Sequence, residues 1–114
     1  MIVVYGLKNC DTCRKATKWL GAENINHRFV DIRRDGISSS LVSNWLKAVG
    51  WENLLNRKST TWRGLSDPVK AEVNEASVLD LLVENPTLIK RPVIDHDGAI
   101  SVGFKDTDKA RLED

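Results

Sequence analysis

The chain has 114 residues, 41% of them hydrophobic and 29% charged, the balance of an ordinary globular domain rather than of a disordered segment. Seventeen basic against sixteen acidic residues leave a formal charge of +1, which gives no support to a chain that coats nucleic acid. That length suffices for one hydrophobic core without disulfide or metal staples.

No apolar run approaches the roughly 18 residues of a membrane span. The N-terminus lacks the charged and then apolar regions of a signal peptide. The expected location is therefore the cytoplasm, where thiols are kept reduced. There, a Cys-x-x-Cys pair points to catalysis or metal binding before a structural staple.

IVVY at residues 2–5 is a short, largely β-branched apolar run ending at Gly6, the pattern of a buried strand. NCDTC follows, and both cysteines of the chain, Cys10 and Cys13, lie in it. Asn9 is expected to cap the next helix, with Asp11 in its first turn. Cys13, Ala16, Trp19 and Leu20 then share one helical face, and Gly21 marks the expected end. HRFVDI at 27–32 reads as a second strand, parallel to the first across a right-handed crossover.

From Ser38 the pattern turns helical. Leu41, Val42, Trp45, Leu46 and Val49 lie on one face before Gly50. WENLL reads as a turn and residues 55–65 as a loop. SDPVKAEV starts a helix with Pro68 near its first position after Ser66 or Asp67, and SVLDLLVENP gives another that ends before Pro86. Residues 38–84 thus form a helical segment without a convincing strand. PVID and AISV then flank a turn at His96-Asp97-Gly98, a hairpin, and DTDKARLED closes the chain as a polar helix. The order βαβ, helical block, ββα predicts an α/β fold of the thioredoxin-like kind. It is a mixed four-stranded sheet flanked by helices, one domain over 1–114 with a helical insertion at about 38–84.

The cysteine pair sits where an apolar strand hands over to a helix. A thiol beside the free N–H groups of a helix N-terminus is drawn toward the thiolate. Lys8, Arg14 and Lys15 add basic character. Cys10, at the mouth, is expected to be the more exposed sulfur with the lower pKa. Cys13, one turn inside, is placed to form a disulfide with it or to pack. A metal site is not expected, since only His27 and His96 remain as further ligands of the kind zinc prefers. The tryptophans at 19, 45, 51 and 62 are read as core and subdomain-interface residues rather than a ligand cage.

YGLKNCDTCRKATKWL, LLNRKSTTWRGL (54–65) and NPTLIKRPVIDHDG (85–98) together resemble, in order, three signature stretches of the bacterial arsenate reductase and Spx family, especially its YffB-like branch. The resemblance spans nearly the whole chain. It implies a thioredoxin-like fold with an inserted helical subdomain, in agreement with the reading from the residues. It also implies that Cys10 is the nucleophile, and that Arg57 and Arg91 correspond to two of the arginines that surround an oxyanion. A guanidinium suits that task because it pairs bidentately with oxyanions and its charge favours the thiolate. Pro92 corresponds to the proline that faces the active cysteine, where a cis bond is usual. Lys8, Asn9, Thr12, Arg14 and Pro92 are the expected substrate-binding residues around Cys10, Cys13, Arg57 and Arg91.

The chain departs from the arsenate reductases in one respect. Their third arginine is replaced by the stretch SVGFKD, in which Lys105 cannot supply a bidentate fork. Cys13 is a feature of Spx-like regulators instead. The expected function is therefore a glutathione-dependent thiol reductase, a monomer with no tightly bound cofactor and no direct contact with nucleic acid or membrane. Its co-substrate would be glutathione, its substrate an oxidised thiol or an oxyanion, and glutaredoxin a further redox partner. The alternatives are an Spx-like redox-sensing regulator that binds RNA polymerase, and an arsenate reductase proper.

Overall fold

A computed structural model describes residues 1–113; Asp114, the last residue of the expected C-terminal helix, lies outside them. The chain divides into two compact units, one formed by Met1–Asp35 with the segment from Arg91 onward, the other by Gly36–Lys90.

In the first unit, strand β1 (Ile2–Gly6) leads through the cysteine-bearing loop into helix α1 (Asp11–Ala22) and back to strand β2 (His27–Asp31). The buried residues of α1, Cys13, Ala16 and Leu20, recur at helical spacing, so one face is committed to the sheet. β1 and β2 pair in parallel, with Val4 opposite Phe29. After the second unit the chain adds strands β3 (Val93–His96) and β4 (Ala99–Val102) to the other side of β1. Both new pairings are antiparallel, giving the order β2-β1-β3-β4. This mixed four-stranded sheet with flanking helices is the thioredoxin-like fold expected from the sequence.

The core of this unit is built from Ile2 and Val4 of β1, Leu20 of α1, Ile94 of β3 and Leu112 of the last helix, with Trp19, Ile25, Phe29 and Phe104 packed around them. Alternate residues of β1 contribute because successive side chains of a strand point to opposite faces. Burying each such aliphatic side chain contributes about 1.5–3 kcal/mol relative to exposure.

The second unit is helical. Helix α2 (Ser39–Val49) is capped by the Ser38 hydroxyl, which accepts from the Leu41 N–H at 3.2 Å. Short helices follow at Trp51–Leu54 (α3), Thr60–Arg63 (α4) and Asp67–Glu72 (α5), then α6 (Val78–Glu84) and a 3₁₀ turn at Pro86–Leu88. Val42 and Trp45 of α2 are buried, as are Leu54, Leu55, Val78, Leu82, Leu88 and Ile89. Leu55 and Ile89 form an isolated antiparallel bridge. It is flanked by hydrogen bonds from Asn56 N–H to the Leu88 carbonyl (2.7 Å) and from Lys90 N–H to the Leu54 carbonyl (2.8 Å). Among the described residues, no helix is long and apolar enough to cross a membrane.

Several local expectations are corrected. Cys10, not Asn9, holds the N-cap of α1, because its backbone is still extended while its carbonyl already accepts from Arg14. Gly21 does not end that helix. The helix runs one residue further, to Ala22, where Asn24 takes the left-handed conformation (φ 56°) and the bonds Asn24 N–H to Gly21 O and Ile25 N–H to Leu20 O close a Schellman motif. WENLL is helical over α3. The stretch 55–65 is not all loop, since the Ser59 hydroxyl accepts from Trp62 N–H and starts α4. Strand β2 ends at Asp31 rather than Ile32. His96 belongs to β3 and pairs with Ala99, so the hairpin turn is the dipeptide Asp97-Gly98, both with positive φ as a type I′ turn requires.

The left-handed C-terminus of α1 gives a direct test. Asn24→Val is expected to cost about 1–2 kcal/mol in urea unfolding, because a β-branched residue resists positive φ. Asn24→Gly should change stability by no more than a few tenths.

Candidate active site

The site grows out of the handover from β1 to α1. Cys10 N–H donates to the Leu7 carbonyl at 3.2 Å, a turn that carries the chain from the end of the strand into the helix N-cap. Beneath it, Gly6 is buried against Cys13. A Cβ built on Gly6 would collide with Cys13 Sγ and stand 3.2 Å from Cys13 Cβ and 3.5 Å from Phe29 Cε1. Glycine is therefore required here for close approach, and the expectation of a glycine that merely ended the strand understated its part.

Cys10 is half-buried and Cys13 fully buried, both as free thiols. Burial alone raises the pKa of Cys10. The Cys13 backbone N–H, the Cys13 thiol and the Arg91 guanidinium donate to its sulfur, and together with the charge on Arg91 they hold its pKa below the ordinary cysteine value. For Cys13 burial wins. Its thiol is pushed up to about 12, with the neighbouring Cys10 sulfur acting in the same direction and the Leu7 N–H and Arg91 opposing it. The pair is therefore asymmetric: an outer sulfur drawn toward the anion and an inner one held toward the thiol.

Arg91 reaches this place through the start of β3. The Arg91-Pro92 bond is cis, Pro92 is buried, and its carbonyl accepts from Gly103 N–H at 2.8 Å just beyond β4. The segment that carries Arg91 is thus tied to both β3 and the end of the hairpin.

Lys8, Asn9 and Arg14 are exposed around the cysteines, and Thr12 is half-buried in the first turn of α1. Arg14 lies 3.6 Å from Asp11 in an exposed ion pair. A pocket of about 270 Å³ opens beside Cys13, bordered by Leu7, Lys8, Arg14, Thr17, His27 and Phe29. Asp31 carries no signal in the sequence, yet its carboxylate accepts from the backbone N–H groups of Arg34, Arg33 and Lys8, which hold its pKa low and pin the cysteine loop to the end of β2. An Asp that closes an apolar strand is too common a pattern to mark a site.

Arg57 belongs to the Gly36–Lys90 unit. Its guanidinium stands 5.4 Å from the ring centroid of Trp51 and 5.8 Å from that of Trp62, cation–π contacts that fix its direction within that unit. Trp51 and Trp62 thus flank a cation instead of filling the core, which Trp45 does. Among the described residues, no group of three or more His, Cys, Asp or Glu is arranged to hold a metal ion.

A thioredoxin-like sheet with a cysteine pair at the mouth of its first helix, its outer sulfur met by the arginine that precedes a cis-proline, defines a thioredoxin-fold thiol protein. Within that class the sequence match is specific: residues 5–111 fit the model of the ArsC family, and the chain belongs to that family. It is 47% identical over 106 residues to an uncharacterised protein of Haemophilus influenzae, with 93% of each chain covered. It is 26% identical over 112 residues to the global transcriptional regulator Spx 2 of Bacillus anthracis, covering 93% of this chain and 82% of the regulator. Among solved structures, the YFFB protein superposes with a TM-score of 0.92 at 38% identity over 98% of both chains. An arsenate reductase (ArsC) related protein from Brucella melitensis gives a TM-score of 0.78 at 40% identity, covering 96% of this chain and 92% of its own. The likeness to the arsenate reductase and Spx family, read from three motifs, therefore extends along the whole fold.

Two outcomes test the electrostatics. Alkylation of Cys10 by iodoacetamide should reach half its maximal rate below the free-cysteine value of about 8.5 and fall as pH drops through that midpoint, since the thiolate is lost. Arg91→Ala should move the midpoint toward alkaline pH. Separately, Gly6→Ala is expected to cost about 1–3 kcal/mol in urea unfolding, by forcing a methyl group into the space of Cys13.

Proposed function

We propose that this ArsC-family chain is a glutathione-dependent thiol reductase that works through the Cys10 thiolate. The observation that carries the reading is the contrast at the head of α1: one sulfur surrounded by donors and a guanidinium, the other buried with its proton retained. The first sulfur can then act as nucleophile, while the second holds its proton until a mixed disulfide is there to be resolved.

In the first step Cys10 S⁻ attacks one sulfur of a substrate disulfide. A new S–S bond forms to Cys10, the substrate S–S bond breaks, and the departing thiolate takes a proton. Resolution then has two routes. In the direct route a glutathione thiolate attacks the substrate sulfur of the mixed disulfide, and Cys10 leaves as its thiolate. A second glutathione displaces the second substrate thiol, and the two glutathiones leave as glutathione disulfide. Alternatively, Cys13 gives up its proton and attacks Cys10, releasing the second substrate thiol and leaving a Cys10–Cys13 disulfide. Two glutathione molecules then return that disulfide to two thiols and leave as glutathione disulfide. Either way two electrons pass to the substrate.

Arg91 beside the reacting sulfur would pair with a substrate or glutathione carboxylate, and Lys8 and Arg14 at the neighbouring pocket supply further positive charge. Arg57 is assigned to substrate anion binding by its match to the family motif. Glutaredoxin is a fitting downstream reductant, and the protein is taken to act as a cytoplasmic monomer without a resident cofactor. An oxyanion such as arsenate is the less favoured substrate, since Lys105 stands where a third arginine would be expected and presents a point charge rather than a fork.

The similarity to proteins named Spx favours one second reading, a redox-sensing regulator that binds RNA polymerase and uses the same two cysteines as its sensor. It requires capture of the C-terminal domain of the polymerase α polypeptide and no turnover.

A glutathione-coupled reductase assay on a mixed-disulfide substrate separates these. Cys10→Ser should lower kcat/KM by at least about 10³-fold, as expected when the only nucleophile is removed. If Cys13→Ser retains the wild-type rate, glutathione resolves the intermediate; if it falls with Cys10→Ser, the dithiol route operates. Absence of turnover in the wild type, with stoichiometric capture of the polymerase domain, would replace the reductase by the regulator.

A further inference from the structure

A second feature of the first unit lies apart from the cysteines. The last helix, α7 (Asp106–Leu112), and helix α1 border an open groove of about 490 Å³. Its floor is aromatic: Trp19 and Phe104 meet with ring centroids 5.7 Å apart and planes tilted by 54°. Its rim is cationic. Lys15 and Lys18 stand on the α1 side, Lys105 and Lys109 on the α7 side, and the single carboxylate of the lining is Asp106.

That carboxylate is already engaged, 3.5 Å from Lys109 Nζ, and the same ammonium lies 5.7 Å from the Phe104 ring centroid. No ion pair among the described residues holds Lys15, Lys18 or Lys105. Three uncompensated cations around an apolar floor stand out in a chain whose formal charge is only +1.

We propose that this groove docks an extended, acidic segment of a partner protein that carries one aromatic or large aliphatic side chain. The occupant is independent of the chemistry at Cys10. The apolar side chain would sit on Trp19 and Phe104, and flanking carboxylates would meet the lysines. The spacing suits such a segment. Lys15 and Lys18 are three residues apart and Lys105 and Lys109 four, about 4.5 and 6 Å along a helix axis. Alternate residues of an extended chain are about 6.6 Å apart. Two lysines on each helix side match a segment that carries several carboxylates. A nucleobase is the poorer fit, because the two rings lean on each other and leave no parallel slot between them.

The test uses the full-length protein and a fluorescein-labelled peptide of about ten residues, alternating Glu and Ser with one central Phe, followed by fluorescence anisotropy. Saturable binding is expected, weakening as salt rises. The double variant Lys18→Glu, Lys109→Glu should weaken it by tenfold or more while circular dichroism and Cys10 alkylation stay as in the wild type. Replacing the peptide's Phe by Ser should weaken binding without any change to the protein, so the floor is tested with no risk to folding. Absence of saturable binding, or binding indifferent to the charge reversal, would overturn the proposal. Tighter binding of an oligothymidylate of equal charge, lost in the same double variant, would overturn it in favour of nucleic acid.

Discussion

The state of the Cys10 sulfur decides what the rest of the molecule can be for. Half-buried at the N-cap of α1, it would remain a thiol if desolvation acted alone; donors from Cys13 and the guanidinium of Arg91 reverse that balance. Each of these donors depends on a different part of the first unit. The Cys13 N–H depends on α1 starting at Asp11, the Cys13 thiol on the bare backbone of Gly6, and Arg91 on the tether between the Pro92 carbonyl and Gly103. The sheet, the first helix and the returning hairpin are joined through one atom.

Cys13 shows how the same helix turn makes two sulfurs unlike. Moving from the N-cap to the third residue of the helix takes the side chain from partial exposure to full burial against β1. Burial disfavours the anion, so the inner thiol is pushed up to about 12 while the donors around the outer one hold it below the ordinary cysteine value. This division requires no additional acid or base, which fits a site whose neighbouring side chains are mainly cationic and apolar.

Much of the architecture is legible in the sequence because it rests on periodicity. The apolar run of β1, the i, i+3, i+7 face of α1 and the Asp97-Gly98 turn each follow from local chemistry, and their order implies the mixed sheet. Less legible are features that arise from contact across the chain. The Leu55–Ile89 bridge pairs residues that no local pattern connects, so residues 55–65 resemble a loop. Gly21 resembles a terminator because glycine commonly ends helices, whereas the end, one residue on, is set by Asn24 and by the partly buried Ile25 packed near Leu20. At the site, the cysteine pair and Arg91 stand out by motif. Gly6 and Asp31 do not, since the tight seat of Cys13 and the pinning of the Lys8 N–H are properties of packing, invisible in spacing.

The distribution of indoles has a practical consequence. Trp45, Trp51 and Trp62 lie in the Gly36–Lys90 unit, and Trp19 alone lies in the other, against Phe104. The two units therefore carry separate optical signatures: emission from Trp19 reports on the sheet-bearing half, and a chain with phenylalanine at that position would glow only from the inserted half. Spectroscopy on such a pair of samples resolves the melting of each half without any attached dye.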